Sequence, residues 1–340
     1  MGKDTIQRLT PYMNAYSKEF SDNGNINWLP YTMYFHPFGF VSDVVNTDAR
    51  GFRYSDARGQ KFSVADCDGV TQCRLLAGSS TAFGIGASSD KHTIASRLTE
   101  IDPRGDPWLN FGGRSFNSTQ EMIQFSLHRH MLPKLDEVVL LSGFNDLGLA
   151  RLPEHLKQEH GAFFMCNEFY NAMQGQKPSL FSRWFQDGAF DVGTQEIPTL
   201  EEQIDYAVER TLRNLTNWRA MCRDMNAKLT YVLQPLESWV RETGSLEEME
   251  LFEEREKRGG FAEQYGDILS QQTYTTYRDQ LRDGTERLGI NFIDLTLDIR
   301  AAIADDYWLF VDRIHFTDQG HDLVSNLILR RIDPPRVSGV

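Results

Sequence analysis

Glu137-Val138-Val139-Leu140-Leu141-Ser142-Gly143-Phe144-Asn145-Asp146 sets four apolar residues in a row and then breaks into a glycine followed by polar residues. A strand solvated on one face alternates apolar with polar, whereas a strand covered on both faces reads as a short continuous apolar run. Glu137 to Leu141 is of the second kind, which calls for a parallel sheet with helices on either side. The same texture recurs upstream at Cys73 to Ala77 and Trp108 to Phe111, and downstream at Leu229 to Leu233 and Ile290 to Leu295. Helical spacing fills the gaps, at His92 to Ile101, about Ser118 to Leu132, about Leu200 to Asn226, a stretch ending near Leu288, and a last segment after Asp318. Strands that alternate with helices predict an α/β fold: a flavodoxin-like, doubly wound, five-stranded parallel sheet.

Three stretches stand outside this rhythm. Residues 1–70 are read as an N-terminal extension packed on the core, without a helical period of its own; Trp28 to Phe40 is crowded with aromatics and prolines. Residues 71–335 form the main domain, with insertions at about 148–199 and 236–260. The first insertion holds Phe163, Phe164, Phe169, Tyr170, Phe181, Trp184, Phe185 and Phe190, read as a small core of its own or a lid. The second contains Ser245-Leu246-Glu247-Glu248, which fits a capping box, and its acidic run from Glu247 to Glu256 reads as a solvated helix face.

Composition narrows the function classes. Of 340 residues, 40% are hydrophobic and 24% charged, as in ordinary globular chains, and the net charge is −13. That much negative charge repels phosphate backbones and anionic lipid, so neither a nucleic-acid nor a membrane partner is expected. The N-terminus shows no secretory h-region, and the four scattered cysteines suggest no disulfide framework, so a cytoplasmic location is expected. His128-Arg129-His130 lacks a carboxylate companion, and no metal or cofactor is expected. The sequons at Asn117 and Asn214 are read as incidental.

Ligands of a doubly wound sheet sit beyond the carboxyl ends of its strands. Four polar clusters fall there. Gly78-Ser79-Ser80-Thr81-Ala82-Phe83-Gly84 follows the first strand and can hold a hydroxyl at a sharp turn. Asn110 to Asn117, rich in glycine, follows the second and can present backbone N–H groups. Gly143-Phe144-Asn145-Asp146 follows the third, where an Asn amide can donate to a developing oxyanion. Asp312-Arg313-Ile314-His315 near the C-terminus spaces a carboxylate to accept from the imidazole Nδ1–H and free Nε2 to take a proton. Each cluster alone also reads as a tight loop, a helix cap, an Asx-turn or a solvated pair. Together they make an acyl-transfer constellation.

In this order the clusters resemble the four consensus blocks of the SGNH (GDSL-type) hydrolase family, over roughly residues 73–330. Gly143 to Asp146 and Asp312 to His315 match the third and fourth blocks in full, and Leu233-Gln234-Pro235 and Phe292-Ile293-Asp294-Leu295 are also similar to it. The resemblance implies Ser80 as nucleophile, His315 as base, Asp312 as its orienting acid, the Ser80 and Ser115 amides with the Asn145 side chain as oxyanion hole, and Gly143 and Asp146 at the substrate. Two positions depart from the family. Ser79 stands where its Asp is usual, but Ser80 keeps the four-residue spacing to Gly84. Ser115 replaces the glycine of the second block, where a β-carbon makes unusual φ angles costlier. Three functions follow as expectations: hydrolysis of an acetyl or short acyl ester of a sugar or small metabolite, acyl transfer on the same triad, or a catalytically silent binding protein on this scaffold.

Overall fold

Successive residues of the central strands enter opposite cores, as a side-chain period of two demands. The computed structural model describes residues 2–21, 26–152, 157, 163–173, 197–259 and 265–333. Two antiparallel pairs come first, β1 (Asn27–Leu29) with β2 (Met33–Phe35) and β3 (Ser55–Ala57) with β4 (Gln60–Phe62). The main sheet follows: β5 (Gln72–Gly78), β6 (Trp108–Gly112), β7 (Lys134–Ser142), β8 (Lys228–Leu233) and β9 (Asn291–Asp294). The helices are α1 (Gly2–Leu9), α2 (Pro11–Ala15), α3 (Ser80–Phe83), α4 (Ile94–Ile101), α5 (Ser118–His128), α6 (Phe144–Ala150), α7 (Cys166–Met173), α8 (Leu200–Asp224), α9 (Glu237–Val240), α10 (Leu246–Gly259), α11 (Gln271–Arg287), α12 (Thr296–Ala302) and α13 (Asp318–Ile332).

The five strands run parallel in the order β6-β5-β7-β8-β9, so the expected architecture is the observed one. Leu75, Val138, Leu140 and Tyr231 face a core closed by Phe125 of α5, Trp218 of α8 and Leu281 of α11. Their neighbours Leu76, Val139, Leu141 and Val232 face the other core, closed by Leu98 of α4 and Val324 and Ile328 of α13. The chain leaves β5 for β6 on one side and returns across it to β7 on the other. This reversal opens a crevice at the strand ends Gly78 and Ser142. The strands are so close there that a β-carbon on Gly78 (φ +144°) would stand 2.0 Å from the carbonyl oxygen of Leu141.

The N-terminal extension corrects one expectation, since it contains helices α1 and α2. Helices of five to eight residues are too short to persist on propensity, which is why the sequence pattern misses them; tertiary packing supports them. Ile6 joins the core under α4 and α13. Met13, Tyr16 and Phe20 pack with Val44, Val45, Phe83 and Val311, and Tyr34, Phe35 and Phe52 join the core under α5 and α8.

The first insertion begins later than expected, since Gly148 still belongs to α6. Leu149, Leu152 and Phe164 form a small cluster, and Phe169 meets Trp28 of β1 edge-to-face at 6.2 Å. Phe181, Trp184, Phe185 and Phe190 lie outside the described residues. No helix among the described residues is long and apolar enough to cross a membrane.

The second insertion corrects a further expectation. Ser245 and Glu248 do form the capping box, with Ser245 N–H donating to Glu248 Oε2 at 3.0 Å. The acidic run is not solvated throughout, however: Glu248 and Leu251 are fully buried. Glu248 Oε1 accepts from the N–H groups of Leu309 and Phe310 at 2.8 and 2.7 Å, and Oε2 pairs with Arg241 Nη2 at 2.6 Å. A carboxylate spaced like a surface residue thus ties the insertion to the loop before Asp312. Removing it takes the acceptor from two buried N–H groups and the carboxylate partner from Arg241, so Glu248→Ala should cost about 3–5 kcal/mol, read as a lowered denaturation midpoint.

Candidate active site

Backbone turns bring the polar clusters together at the crevice. After β5 the chain turns at Gly78 and starts α3, with Ser79 as N-cap and Ser80 as first residue. Ser79 Oγ is buried and donates to Gln234 Oε1 at 3.2 Å. Ser80 Oγ is partly exposed and lies 2.8 Å from His315 Nε2. Gly112, at the end of β6, lies so near that a β-carbon on it would sit 2.1 Å from the backbone nitrogen of Phe83.

Asp312 and His315 arrive on one closed turn. Phe310 and Phe316 form an antiparallel bridge at its base, and Val311 N–H donates to His315 O at 2.9 Å. Within the turn Asp312 Oδ1 accepts from the N–H groups of Ile314 and His315 at 2.9 and 2.8 Å. His315 Nδ1 reaches Asp312 Oδ2 at 2.8 Å. A carboxylate only accepts, so Nδ1 carries the ring proton and Nε2 turns its lone pair to Ser80 Oγ–H. Burial alone would raise the Asp312 carboxyl, but the charge and hydrogen bond of His315, then Arg255, then the Ile314 N–H, hold it well below the usual carboxylate range.

After β7, Gly143 adopts φ +123°, and its carbonyl accepts from Tyr277 Oη–H at 3.1 Å. Asn145, in the first turn of α6, donates one Nδ2–H to Phe116 O at 2.6 Å, which orients the amide. Asp146 departs from its expected place at the substrate. It is fully buried, its oxygens accept from Ser118 N–H at 3.0 Å and Ser118 Oγ–H at 2.7 Å, and Arg210 Nε stands 3.5 Å away. Asp146 thus braces α6 against the start of α5. Gly143 bears on the site through its backbone, since a β-carbon there would press on Leu233 and Tyr231 at 3.0 Å.

Ser115 sits at φ +57°, where L-residues with a β-carbon are strained. The N-terminal extension holds it there. Tyr34 Oη–H donates to Ser115 O at 3.0 Å, and Arg114 N–H donates to His36 Nε2 at 3.1 Å. His36 is buried, with Nδ1–H donating to Gly51 O at 3.0 Å. Desolvation first, and then the Arg114 charge, keeps this imidazole neutral by lowering its pKa far below the ordinary value. Arg53, also buried, pairs with Asp90 at 2.8 Å and donates to Gly84 O at 2.8 Å and Val44 O at 2.6 Å, bracing the loop behind Ser80. None of Tyr34, His36 and Arg53 stands in a motif, so spacing could not reveal them. The sequon residues Asn117 and Asn214 are both buried, the first as the cap of α5.

Ser80, His315 and Asp312 are thus linked in one line along which a proton can pass from the hydroxyl to the imidazole. Among the described residues no group of three or more His, Cys, Asp or Glu side chains could hold a metal ion.

No family model matches the chain, and no curated protein matches it. Solved structures do align with it. An acetyl xylan esterase does so at 15% identity, over 76% of this chain and 97% of its own, with a TM-score of 0.42. A carbohydrate acetylesterase family member from Sinorhizobium meliloti aligns at 11% identity over 76% of this chain and 97% of its own, with a TM-score of 0.43. A variant of an acetyl-xylooligosaccharide esterase from Geobacillus aligns at 14% identity over 79% of this chain and 97% of its own, with a TM-score of 0.44.

Two stability measurements follow. At the Ser115 position glycine has no β-carbon to strain, whereas a β-branched residue adds to the strain. Ser115→Gly should therefore stay within about 1 kcal/mol of wild type, and Ser115→Val should fall about 1–3 kcal/mol below Ser115→Gly, by chemical denaturation. The second concerns His321, fully buried beside Phe316. Desolvation, with the nearby charge of Arg53, lowers its pKa to about 3. The unfolded chain binds this proton below about pH 6.5 and the folded chain does not, so stability is lost as pH falls through that range. The loss is about 1.4 kcal/mol per pH unit, or about 2 kcal/mol at pH 5. Denaturation at pH 7, 6 and 5 should show that slope, reduced in His321→Leu.

Proposed function

We propose that this chain is a serine-dependent ester hydrolase of the SGNH type. The observation that carries the reading is the unbroken line from Ser80 Oγ to His315 Nε2 at 2.8 Å and from His315 Nδ1 to Asp312 Oδ2 at 2.8 Å. Ser80 Oγ attacks the ester carbonyl carbon while His315 Nε2 takes its proton, and Asp312 stabilises the imidazolium. The tetrahedral oxyanion is met by the backbone N–H groups of Ser80 and Ser115 and by the second Nδ2–H of Asn145. His315 returns the proton to the departing alcohol as the C–O bond breaks. Water, deprotonated by the same imidazole, then releases the acid from the acyl-enzyme. The proton transfers run between side chains within hydrogen-bond reach of one another, and no step calls for a metal or organic cofactor.

The substrate class is an acetyl or short acyl ester of a sugar or other small molecule, in keeping with the resemblance of the four polar clusters. The net charge of −13 disfavours polyanionic substrates by long-range repulsion.

Labelling by a fluorophosphonate probe with intact-mass detection, beside turnover of p-nitrophenyl acetate, butyrate and octanoate, tests the reading. Wild type should label once and turn over the shorter esters faster, and Ser80→Ala should do neither. Asn145→Ala should lose about 10²–10³ in turnover. Product partitioning toward an added acceptor alcohol would mark acyl transfer instead. A wild type that neither labels nor turns over any ester overturns the proposal.

A further inference from the structure

The line of groups at the site does not end at Asp312. Arg255 Nη1 stands 3.7 Å from Asp312 Oδ2, the oxygen that accepts from His315 Nδ1–H. Arg255 comes from α10 in the second insertion, and three attachments fix that helix in place. Glu248 at its start binds the Leu309 and Phe310 N–H groups, Phe252 packs under the Arg313 guanidinium at 5.1 Å, and Glu250 pairs with Arg8 of α1. The helix is therefore locked to the segment that carries Asp312 and His315, and its arginine is set beside the carboxylate.

We propose that Arg255 is a positioning residue for the Asp312–His315 pair: it holds the carboxylate turned to Nδ1, and its charge acts on the imidazole through that carboxylate. The inference rests on reading the site as a serine hydrolase. A cation beyond the acid has two opposed effects. It favours the ionised, hydrogen-bonded carboxylate, and it repels a second cation at His315. Among the described residues the other charged groups facing the pair do not duplicate it. Arg313, on the same turn, is neutralised by Glu237 of α9 at 2.9 Å, and His321 of α13 is held neutral by burial. Ser80 of α3 is uncharged while it awaits attack. Among the described residues, Arg255 is thus the cation whose removal changes the field at the pair.

The test compares wild type, Arg255→Gln and Arg255→Lys. Turnover of p-nitrophenyl acetate against pH should show the acidic limb displaced upward by about 0.3–1 pH unit in Arg255→Gln, which is about a two- to tenfold loss on that limb. Arg255→Lys, which keeps the charge, should recover most of the displacement. The His315 ring titration followed by NMR in the ligand-free protein should move in the same direction by the same amount. An unmoved limb and an unmoved ring titration in a folded Arg255→Gln protein would overturn the proposal. So would a rise in KM with both unmoved, which would make Arg255 a substrate contact. The NMR titration does not depend on activity. A wild type without labelling or turnover therefore refutes the hydrolase reading, while the ring titration still decides the influence of Arg255.

Discussion

At the carboxyl edge of the sheet, backbone must lie directly against backbone. Gly78 meets the carbonyl of Leu141, Gly112 meets the nitrogen of Phe83, and a β-carbon on Gly86 would stand 2.1 Å from the carbonyl oxygen of Phe316. These approaches are shorter than any β-carbon allows, so glycine is obligatory and the loops cannot slide past one another. The contact at Gly86 presses the loop after Ser80 against the end of the Asp312–His315 turn. Two groups 235 residues apart are thereby held at 2.8 Å. A hydrogen bond this distant in sequence cannot pull the loops together by itself, because the loop-closure entropy far exceeds its net worth. The packing places the groups, and the bond reports the placement.

Around that edge, polar groups are buried in satisfied pairs. Arg53 with Asp90, Glu248 with Arg241 and Asp146 with Ser118 each tie a loop of the site to an element outside it. Such pairs add little stability over apolar packing, but breaking one is costly, which makes them locks on a single arrangement. The parts of the chain outside the α/β rhythm supply much of this locking. The extension contributes Tyr34, His36 and Arg53, and the second insertion contributes Glu248 and Arg255. They wall the site from two sides, one behind the Ser115 loop and the other behind the Asp312 turn.

The sheet was readable because burial on two faces leaves a mark in composition. Val138 to Leu141 has no polar position, and only a strand between two helical layers needs none. Ser80 and Asn145 could be singled out because each follows a strand end by two or three residues, in a cluster of small or polar residues, and Asp312 and His315 because three-residue spacing lets a carboxylate reach an imidazole within one turn. Asp146 was misplaced for the same reason: adjacency to Asn145 suggested a shared role, although consecutive residues of α6 point in different directions. Glu248 was misjudged because a carboxylate among carboxylates carries no local sign of burial.

By itself the sequence determined the alternation of strands and helices, the five-stranded parallel sheet and the turn that spaces Asp312 from His315. These are consequences of side-chain periodicity and short-range geometry, which act within a few residues. Only the tertiary structure decided that Ser79 turns inward to Gln234, that Ser115 is held at a positive φ by Tyr34 and His36, and that Arg255 stands beside Asp312. Those facts depend on contacts between segments tens to hundreds of residues apart. No local pattern encodes them, because the partners meet only after the two cores have closed.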